Sequence, residues 1–346
     1  MSIDNKLRGN KILFISISTF NYEKAIKKEL ENKGFEVDLY DERPSNNIFT
    51  KGLIRLKKSL YGYHLNKYYK RIIAEISIKK YDYLFVLKGE SVPLFFIEGF
   101  KMKFPKAQLI YYTWDSFKNN SNPLTFLHMF DKKFTFDSSD ALDYKLYFRP
   151  LFYLNEYSNI KNVTSKKYEY DLLFLGTAHT DRYIISNKIV EICKSYEFSS
   201  FTYYYLQGKF VFLFNRFFDK SFKSFDKDKI SFRSLTSNEI LGLYEKSRVV
   251  LDIHHPSQSG LTMRTFEALG AAKKLITTNQ EIKNYKFYNP NNIFVIDRDN
   301  IEIDKSFFNK NYLPIDNEIY NAISISGWID SIFDSNSRKI NEFWFN

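Results

Sequence analysis

The sequence lacks most of the features that mark secreted or membrane-spanning proteins. It has one cysteine, Cys193, among 346 residues, so no disulfide framework can form within one chain. No apolar run approaches the roughly 18 to 20 residues that span a bilayer, and the amino terminus has no signal-peptide core. No GxGxxG motif follows the first predicted strand, which argues against dinucleotide binding there. These absences predict a cytoplasmic protein.

Basic residues outnumber acidic ones, and the net charge is +11. This balance favours an anionic partner, and a nucleotide, a membrane surface or a nucleic acid would each satisfy it. The length predicts two domains of ordinary size, each able to bury its own core.

The first half alternates buried strands with helices. Lys11 to Ile17 predicts a strand, a helix follows to about Lys33, and Phe35 to Tyr40 predicts a second strand, which is a Rossmann-type beginning. Three later strands end in the polar groups Lys88-Gly89-Glu90, Trp114-Asp115-Ser116 and Asp137-Ser138. Parallel sheets bind ligands at this carboxyl edge, so Asp115 is a candidate carboxylate facing an acceptor. The alternative role for Asp115 is a helix cap.

The second half repeats this arrangement. A strand from Tyr170 to Leu175 leads into a turn that contains Gly176, Thr177, His179 and Arg182. A guanidinium at a helix start can neutralise a diphosphate leaving group without a metal. The alternative for Arg182 is a surface salt bridge, for example with Asp181.

Arg248 to Ile253 and Lys274 to Thr278 predict two further strands with a helix between them. Ser257 and Ser259 offer oxygens to cap that helix. Arg264 and Glu267 lie three residues apart and share one helix face. A cation and a carboxylate in this position fit the phosphate and ribose of a nucleotide.

These stretches resemble the GT-B glycosyltransferases of the group 1 type, in particular the CgeB-like branch linked to surface polysaccharide and lipopolysaccharide synthesis. The resemblance rests on RTFEALGAAKKLITTN (Arg264 to Asn279), on Tyr170 to Thr177 and on Tyr112 to Ser116. It implies an α/β fold of two Rossmann-like domains facing across a cleft, with a carboxyl-terminal helix that crosses back to the first domain. The expected divisions are an acceptor domain at 1–150, a donor domain at 151–325 and the returning helix at 326–346.

The resemblance also implies the roles of individual residues. Glu267 is expected to hold the donor ribose, while Arg182 and Arg264 neutralise the phosphates. The expected donor-binding set is Gly176, Thr177, His179, Arg182, His254, His255, Ser259, Gly260, Leu261, Thr262, Arg264 and Glu267. The expected catalytic set is Asp115, Arg182 and Arg264. No metal and no cofactor other than the nucleotide-sugar co-substrate is expected, and the acidic pairs in Asp226-Lys227-Asp228 and Asp297-Arg298-Asp299 are interpreted as loop charge.

The implied activity is transfer of a sugar from a nucleotide-sugar to a cell-surface glycan or a lipid-linked acceptor, with retention and without metal. One position departs from the family pattern. Many relatives carry a sugar-binding glutamate eight residues before the ribose glutamate, where this chain has Ser259. An inverting reaction with Asp115 as general base therefore stays open.

Other functions also stay open. One is an inverting transferase that uses a CMP-linked acid sugar, a second is a basic membrane-binding or nucleic-acid-binding protein, and a third is a non-catalytic scaffold. Residues 51–80 hold nine lysines and arginines against one acid, Glu75. Such a helix can lie on the anionic inner face of the cell membrane, or it can pack its apolar side into the first domain. No nucleic-acid partner is expected.

Overall fold

The strands lie where the sequence becomes a continuous run of aliphatic and aromatic residues. In Lys11–Ser16 and in Tyr83–Leu87 every residue after the first is buried. Such runs are typical of parallel sheets that carry helices on both faces. The computed structural model describes residues 8–44, 58–161, 168–178, 181–208, 211–212, 225–256, 258–333 and 343–345.

Within this described part of the chain, the strands form two parallel sheets. They are β1 (Lys11–Ser16), β2 (Glu36–Asp41), β3 (Tyr83–Leu87), β4 (Gln108–Thr113), β5 (Lys132–Thr135), β6 (Tyr147–Phe148), β7 (Tyr170–Thr177), β8 (Ser200–Tyr205), β9 (Ile230–Ser231), β10 (Ser247–Asp252), β11 (Lys274–Thr277) and β12 (Ile293–Val295). The helices are α1 (Tyr22–Asn32), α2 (Lys58–Ile76), α3 (Leu94–Lys103), α4 (Ser138–Asp143), α5 (Asn155–Lys161), α6 (Arg182–Ser195), α7 (Ser237–Lys246), α8 (Met263–Gly270), α9 (Lys305–Asn309), α10 (Asn317–Ala322) and α11 (Ile325–Phe333).

The chain divides into two units with one sheet each. The first unit comprises Met1–Pro150 and Ile325–Phe343, and the second comprises Leu151–Ser324 and Trp344–Asn346. The strand orders are β2-β1-β3-β4-β5-β6 and β12-β11-β10-β7-β8-β9. The order reverses direction between β1 and β3 in the first sheet and between β7 and β10 in the second. Ligands of such sheets bind outside the carboxyl ends of the strands at this switch point.

The helix α11 covers the first sheet. The indole of Trp328 lies with its ring centroid 4.8 Å from that of Tyr112, and Phe333 lies 5.7 Å from Phe85. The expected return of the carboxyl-terminal helix to the first unit is therefore observed. The last residues of the expected range 326–346 behave differently, because the backbone O of Trp344 accepts a hydrogen bond from Lys286 N and the ring of Phe345 packs on Tyr285 in the second unit.

The basic segment 51–80 is described from residue 58 onward, as α2. Tyr69, Ile72 and Ile76 are fully buried in the core of the first unit, whereas Lys70 and Arg71 are exposed. The apolar side of α2 is thus used in folding, and contact of its basic side with a membrane stays a prediction. No helix among the described residues is long and apolar enough to cross a bilayer.

Gly270, the last residue of α8, lies against Tyr153. A Cβ at Gly270 would meet the Cγ of Tyr153 at 2.4 Å, whereas a Cβ at Gly242 in α7 would meet nothing within 4 Å. We expect Gly270→Ala to destabilise the protein by about 1 to 3 kcal/mol through overpacking. Gly242→Ala, the matched control, should stabilise it by about 0.5 to 1 kcal/mol. Urea unfolding of both variants measures this difference, and equal midpoints would contradict the close approach.

Candidate functional site

Arg182 links the two strands at the switch point of the second sheet. It opens α6, and its Nε donates to the backbone O of Ile253, just after β10, at 2.9 Å. Its Nη1 donates to Oγ1 of Thr177, the last residue of β7, also at 2.9 Å. Burial and the neighbouring cation of Arg264 lower the pKa of Arg182 to about 10, so the guanidinium stays charged at neutral pH. A positive group is therefore fixed between the ends of β7 and β10.

The helix α8 begins later than the sequence predicted. Thr262 caps it, because its side-chain oxygen accepts from Thr265 N. The hydroxyls of Thr262 and Thr265 both donate to Oδ2 of the buried Asp252, at 2.8 and 3.0 Å. The expectation that Ser257 or Ser259 would form the cap is wrong for Ser259, and Ser257 lies outside the described residues. The cap depends on a carboxylate at the end of β10.

Residues 258–262 form the loop before α8, and Asn279 anchors it. The Nδ2 of Asn279 donates to the backbone O of Ser259 at 3.0 Å and to that of Gly260 at 3.4 Å. The side chain of Leu261 is buried in the protein. Ser259, Gly260 and Leu261 thus fix the course of this loop at the carboxyl edge.

Arg264 and Glu267 lie together on α8. Glu267 is buried, and its Oε2 accepts from the hydroxyl of the fully buried Tyr244 in α7 at 3.1 Å. The Nε of Arg264 is buried and has no hydrogen-bond partner among the described residues. Burial opposes the charge of Arg264, but Tyr244, Asp252 and Glu267 raise its pKa above the ordinary value. The helix therefore holds a charged guanidinium with an unused donor beside a carboxylate.

His254 lies at the end of β10 in a cationic surrounding. Its Nδ1 is 2.7 Å from Oγ1 of Thr278, and its backbone O accepts from Arg298. Burial and the charge of Arg298 lower the pKa of His254 to about 4, so its imidazole is neutral at physiological pH. A neutral ring can offer one donor or one acceptor to a ligand.

Arg298 is a cationic residue of this site that the sequence interpretation missed. It follows β12, lies between two acids that were interpreted as loop charge, and pairs with Asp181 just before α6. The Oδ1 of Asp181 is buried without a partner in the described residues. Asp297 itself accepts the backbone N–H of Asp299 in a local turn, as loop charge does. Only its position after an edge strand of the sheet could have indicated Arg298.

Of the remaining predicted donor-site residues, Gly176 and His255 lie at or near the same edge. Gly176 is the last residue but one of β7, where a Cβ would approach the ring of Phe174 to 2.7 Å. His255 is half-buried and its backbone O accepts from Gln258 N. His179 lies outside the described residues. Within the residues that are described, no three His, Cys, Asp or Glu side chains are grouped as metal ligands.

Asp115 lies at the carboxyl edge of the first sheet, where it contacts a lysine. Its Oδ2 is 3.4 Å from Nζ of Lys88, and its Oδ1 accepts from Asn119 at 3.3 Å. Lys88 also pairs with Glu90 at 2.8 Å, and Glu90 pairs with Arg43 at 2.8 Å. The carboxylate of Asp115 thus belongs to a network of ion pairs rather than to a helix cap.

Glu42, directly after β2, lies at the bottom of this network and is fully buried. Its Oε2 accepts from Glu90 N at 3.1 Å, while its Oε1 has no partner among the described residues. Burial, together with the nearby charge of Glu90, raises the pKa of Glu42 to about 8. Its carboxyl group therefore carries a proton at neutral pH. Nothing in the local sequence indicates this, because the burial arises from α2 and the loop after β3.

Solved structures of similar fold cover nearly the whole chain. An α-glucosyltransferase in complex with UDP and a 13-mer DNA aligns with a TM-score of 0.55, at 14% identity, over 94% of this chain and 96% of its own. The UDP-GlcNAc 2-epimerase from Methanocaldococcus jannaschii aligns with a TM-score of 0.53, at 14% identity, over 92% and 98%. An Anabaena protein in complex with UDP and glucose aligns with a TM-score of 0.50, at 11% identity, over 96% and 97%.

At these identities the likeness concerns the fold, and it confirms the predicted α/β class of GT-B type. The neighbours include both glycosyltransferases and epimerases, so they do not distinguish these activities. The sequence matches no protein-family model and no curated protein.

The protonated Glu42 predicts a pH-dependent stability. The native state keeps this proton up to about pH 8, whereas an unfolded glutamate loses it near its ordinary pKa of 4.5. Stability contributed by this group therefore falls as pH rises between these values, by up to about 1.4 kcal/mol per pH unit. Glu42→Gln should gain stability over the wild type that grows through this window, to about 4 to 5 kcal/mol near pH 8.

Urea unfolding at several pH values measures this gain, with Glu98→Gln at an exposed position of α3 as the control. A gain for Glu42→Gln that does not change with pH would show that Glu42 is ionised in the native protein.

Proposed function

We propose that the second unit binds the nucleotide of an activated sugar and that the protein transfers this sugar to a growing surface glycan or a lipid-linked acceptor. The observation that carries the proposal is the buried Nε of Arg264, which lacks a partner in the described residues. An unpaired buried donor destabilises a protein by about 1 to 3 kcal/mol, and such groups are retained where a ligand satisfies them. A phosphate oxygen is the acceptor that fits a charged guanidinium best.

The neighbouring groups support a diphosphate and a ribose in particular. Arg182 and Arg298 approach the same edge from α6 and from the segment after β12, so negative charge that develops on a leaving diphosphate meets preorganised cations. Glu267 is oriented by Tyr244 and has the lone pairs to accept from ribose hydroxyls. In this proposal His254 and His255 lie beside the phosphates or the sugar, and Ser259 takes the place of a sugar-binding carboxylate.

Whether the transferred sugar retains or inverts its anomeric configuration depends on which group assists the acceptor. Retention would leave Asp115 without a proton-transfer role, whereas inversion would use Asp115 as a general base. In the structure its Oδ2 lies 3.4 Å from the ammonium of Lys88.

A second candidate function is epimerisation of a nucleotide-sugar. It is favoured by the fold of UDP-GlcNAc 2-epimerases, which the chain shares at TM-scores of 0.53 and 0.52. It would use the same donor site and would need no acceptor. Only the products distinguish it from transfer.

Nucleotide binding is tested by thermal shift with UDP, GDP, CDP, dTDP, ADP and CMP. A ligand that binds only the native state at about 100 times its Kd stabilises it by about 2.7 kcal/mol. We expect one nucleoside diphosphate to raise the Tm, Arg264→Met to weaken its binding by about 10- to 100-fold, and Glu267→Gln to weaken it less. Arg248→Gln, at the opposite end of β10, is the control.

If no nucleotide shifts the Tm of the wild type, or if Arg264→Met binds as the wild type does, the assignment of this site is wrong. A preference for CMP over every diphosphate would favour the alternative donor, a CMP-linked acid sugar.

The reaction is tested with the nucleotide-sugars of the stabilising nucleotide and a panel of glycoside acceptors. Transfer breaks the glycosidic bond and releases the nucleotide, so we expect free nucleoside diphosphate and an extended glycoside by chromatography. Epimerisation preserves the nucleotide-sugar bond and changes one sugar centre, which NMR detects. An epimer without acceptor-dependent nucleotide release would contradict the transferase.

A further inference from the structure

The carboxyl edge of the first sheet carries a second group of ionisable side chains, on which the nucleotide site does not depend. Glu42 and Arg43 follow β2, Lys88 and Glu90 follow β3, and Asp115 follows β4. The switch point of this sheet lies between β1 and β3, so Lys88 stands at the position where open α/β sheets bind ligands.

The backbone has an unusual conformation at Lys88, directly after β3. Lys88 and Gly89 both adopt left-handed conformations, with φ of 73° and 71°. A lysine adopts this conformation rarely, because its Cβ crowds the following carbonyl oxygen. The conformation directs Nζ to Glu90 and Asp115, at 2.8 and 3.4 Å. The ammonium is therefore fixed between two carboxylates.

Glu42 supplies the observation that indicates a ligand. It is fully buried, its Oε2 is satisfied by Glu90 N, and its Oε1 lacks a partner among the described residues. A neutral carboxyl group carries an O–H donor as well as an acceptor. Because Oε2 accepts the backbone N–H of Glu90, the proton of the neutral carboxyl group is placed on Oε1. A ligand oxygen would satisfy it.

The charges of the network select the kind of ligand. The cations Arg43 and Lys88 balance the anions Glu90 and Asp115, through ion pairs of 2.8 to 3.4 Å. The two carboxylates would repel an anionic ligand, and the two cations would repel a cationic ligand. A neutral ligand with several hydroxyls meets donors and acceptors without breaking the pairs.

Aromatic side chains extend the same edge. Trp114 precedes Asp115 and is half-buried, and its ring centroid lies 6.3 Å from that of Tyr22 at the start of α1. The ring of Phe20 in the loop after β1 is 67% exposed. Flat apolar rings beside carboxylates suit a sugar, which presents C–H groups on one face and hydroxyls at its rim.

We propose that this edge binds a neutral sugar ring, with Glu42 donating to one hydroxyl and Asp115 and Glu90 accepting from others, while Tyr22 and Trp114 pack on the C–H face. The identification of this sugar as the acceptor rests on the proposed function. The terminal residue of the acceptor would then be a neutral hexose and not an acidic or phosphorylated sugar.

The proton of Glu42 makes this binding pH-dependent. The charged or titratable groups that face it are Asp41 and Arg43 on its own segment and Lys88 and Glu90 after β3. Two tyrosines also face it, Tyr69 of α2, whose hydroxyl donates to its backbone O, and Tyr111 of β4. Loss of the Glu42 proton removes the donor and adds an anion beside Glu90. Binding should weaken as pH rises above the range in which Glu42 is protonated.

The test is saturation-transfer NMR with methyl glucoside, methyl galactoside and methyl mannoside, against methyl glucuronide and glucose 6-phosphate. We expect at least one neutral glycoside to bind near neutral pH and to bind about fivefold or more weakly near pH 9.5, where Glu42 is ionised. Glu42→Gln keeps an N–H donor, so it should bind at both pH values. Glu42→Met and Asp115→Asn should lose binding, and Glu98→Met, at an exposed position of α3, should not.

Equal binding by Glu42→Met and the wild type, a preference for the anionic sugars, or no binding of any neutral glycoside would each overturn the proposal. The measurement needs no nucleotide, and the thermal shift by nucleotides reports the second unit separately. Sugar binding without nucleotide binding would therefore contradict the proposed donor site alone, and the reverse would contradict the sugar site alone.

Discussion

The second unit depends on the hydrogen bonds of the Asp252 carboxylate. Asp252 ends β10, is buried, and accepts from Thr262 and Thr265. These two bonds decide where α8 begins, and the beginning of α8 sets which way Arg264 and Glu267 point. Arg182 adds a second constraint by joining the ends of β7 and β10. These bonds orient the cationic side chains through the protein's own contacts, which is what electrostatic stabilisation of a developing charge requires.

The two sheets have the same construction and different chemistry at their carboxyl edges. The second edge brings together Arg182, Arg264 and Arg298 with a neutral imidazole. The first edge balances its ions and holds one neutral acid, Glu42. This physical difference is the basis for proposing two kinds of ligand, an anionic nucleotide at the second edge and a neutral sugar at the first.

The sequence predicted features that depend on local pattern and not those that depend on distant partners. Continuous apolar runs predicted β1, β10 and β11 close to their observed bounds, and polar residues follow them at the expected edges. The cap of α8 was misplaced because its partner, Asp252, lies ten residues earlier on another element. Arg298 and Glu42 were missed because their contacts come from elements far away in the chain.

In the proposed nucleotide complex, the guanidinium of Arg264 binds a phosphate and the carboxylate of Glu267 binds the ribose. A crystal structure with the nucleoside diphosphate that stabilises the protein tests this most directly. We expect a phosphate oxygen within about 3.2 Å of a guanidinium nitrogen of Arg264, and a ribose hydroxyl within about 3.2 Å of the carboxylate of Glu267. A nucleotide bound elsewhere, with Nε of Arg264 still unpaired, would contradict it.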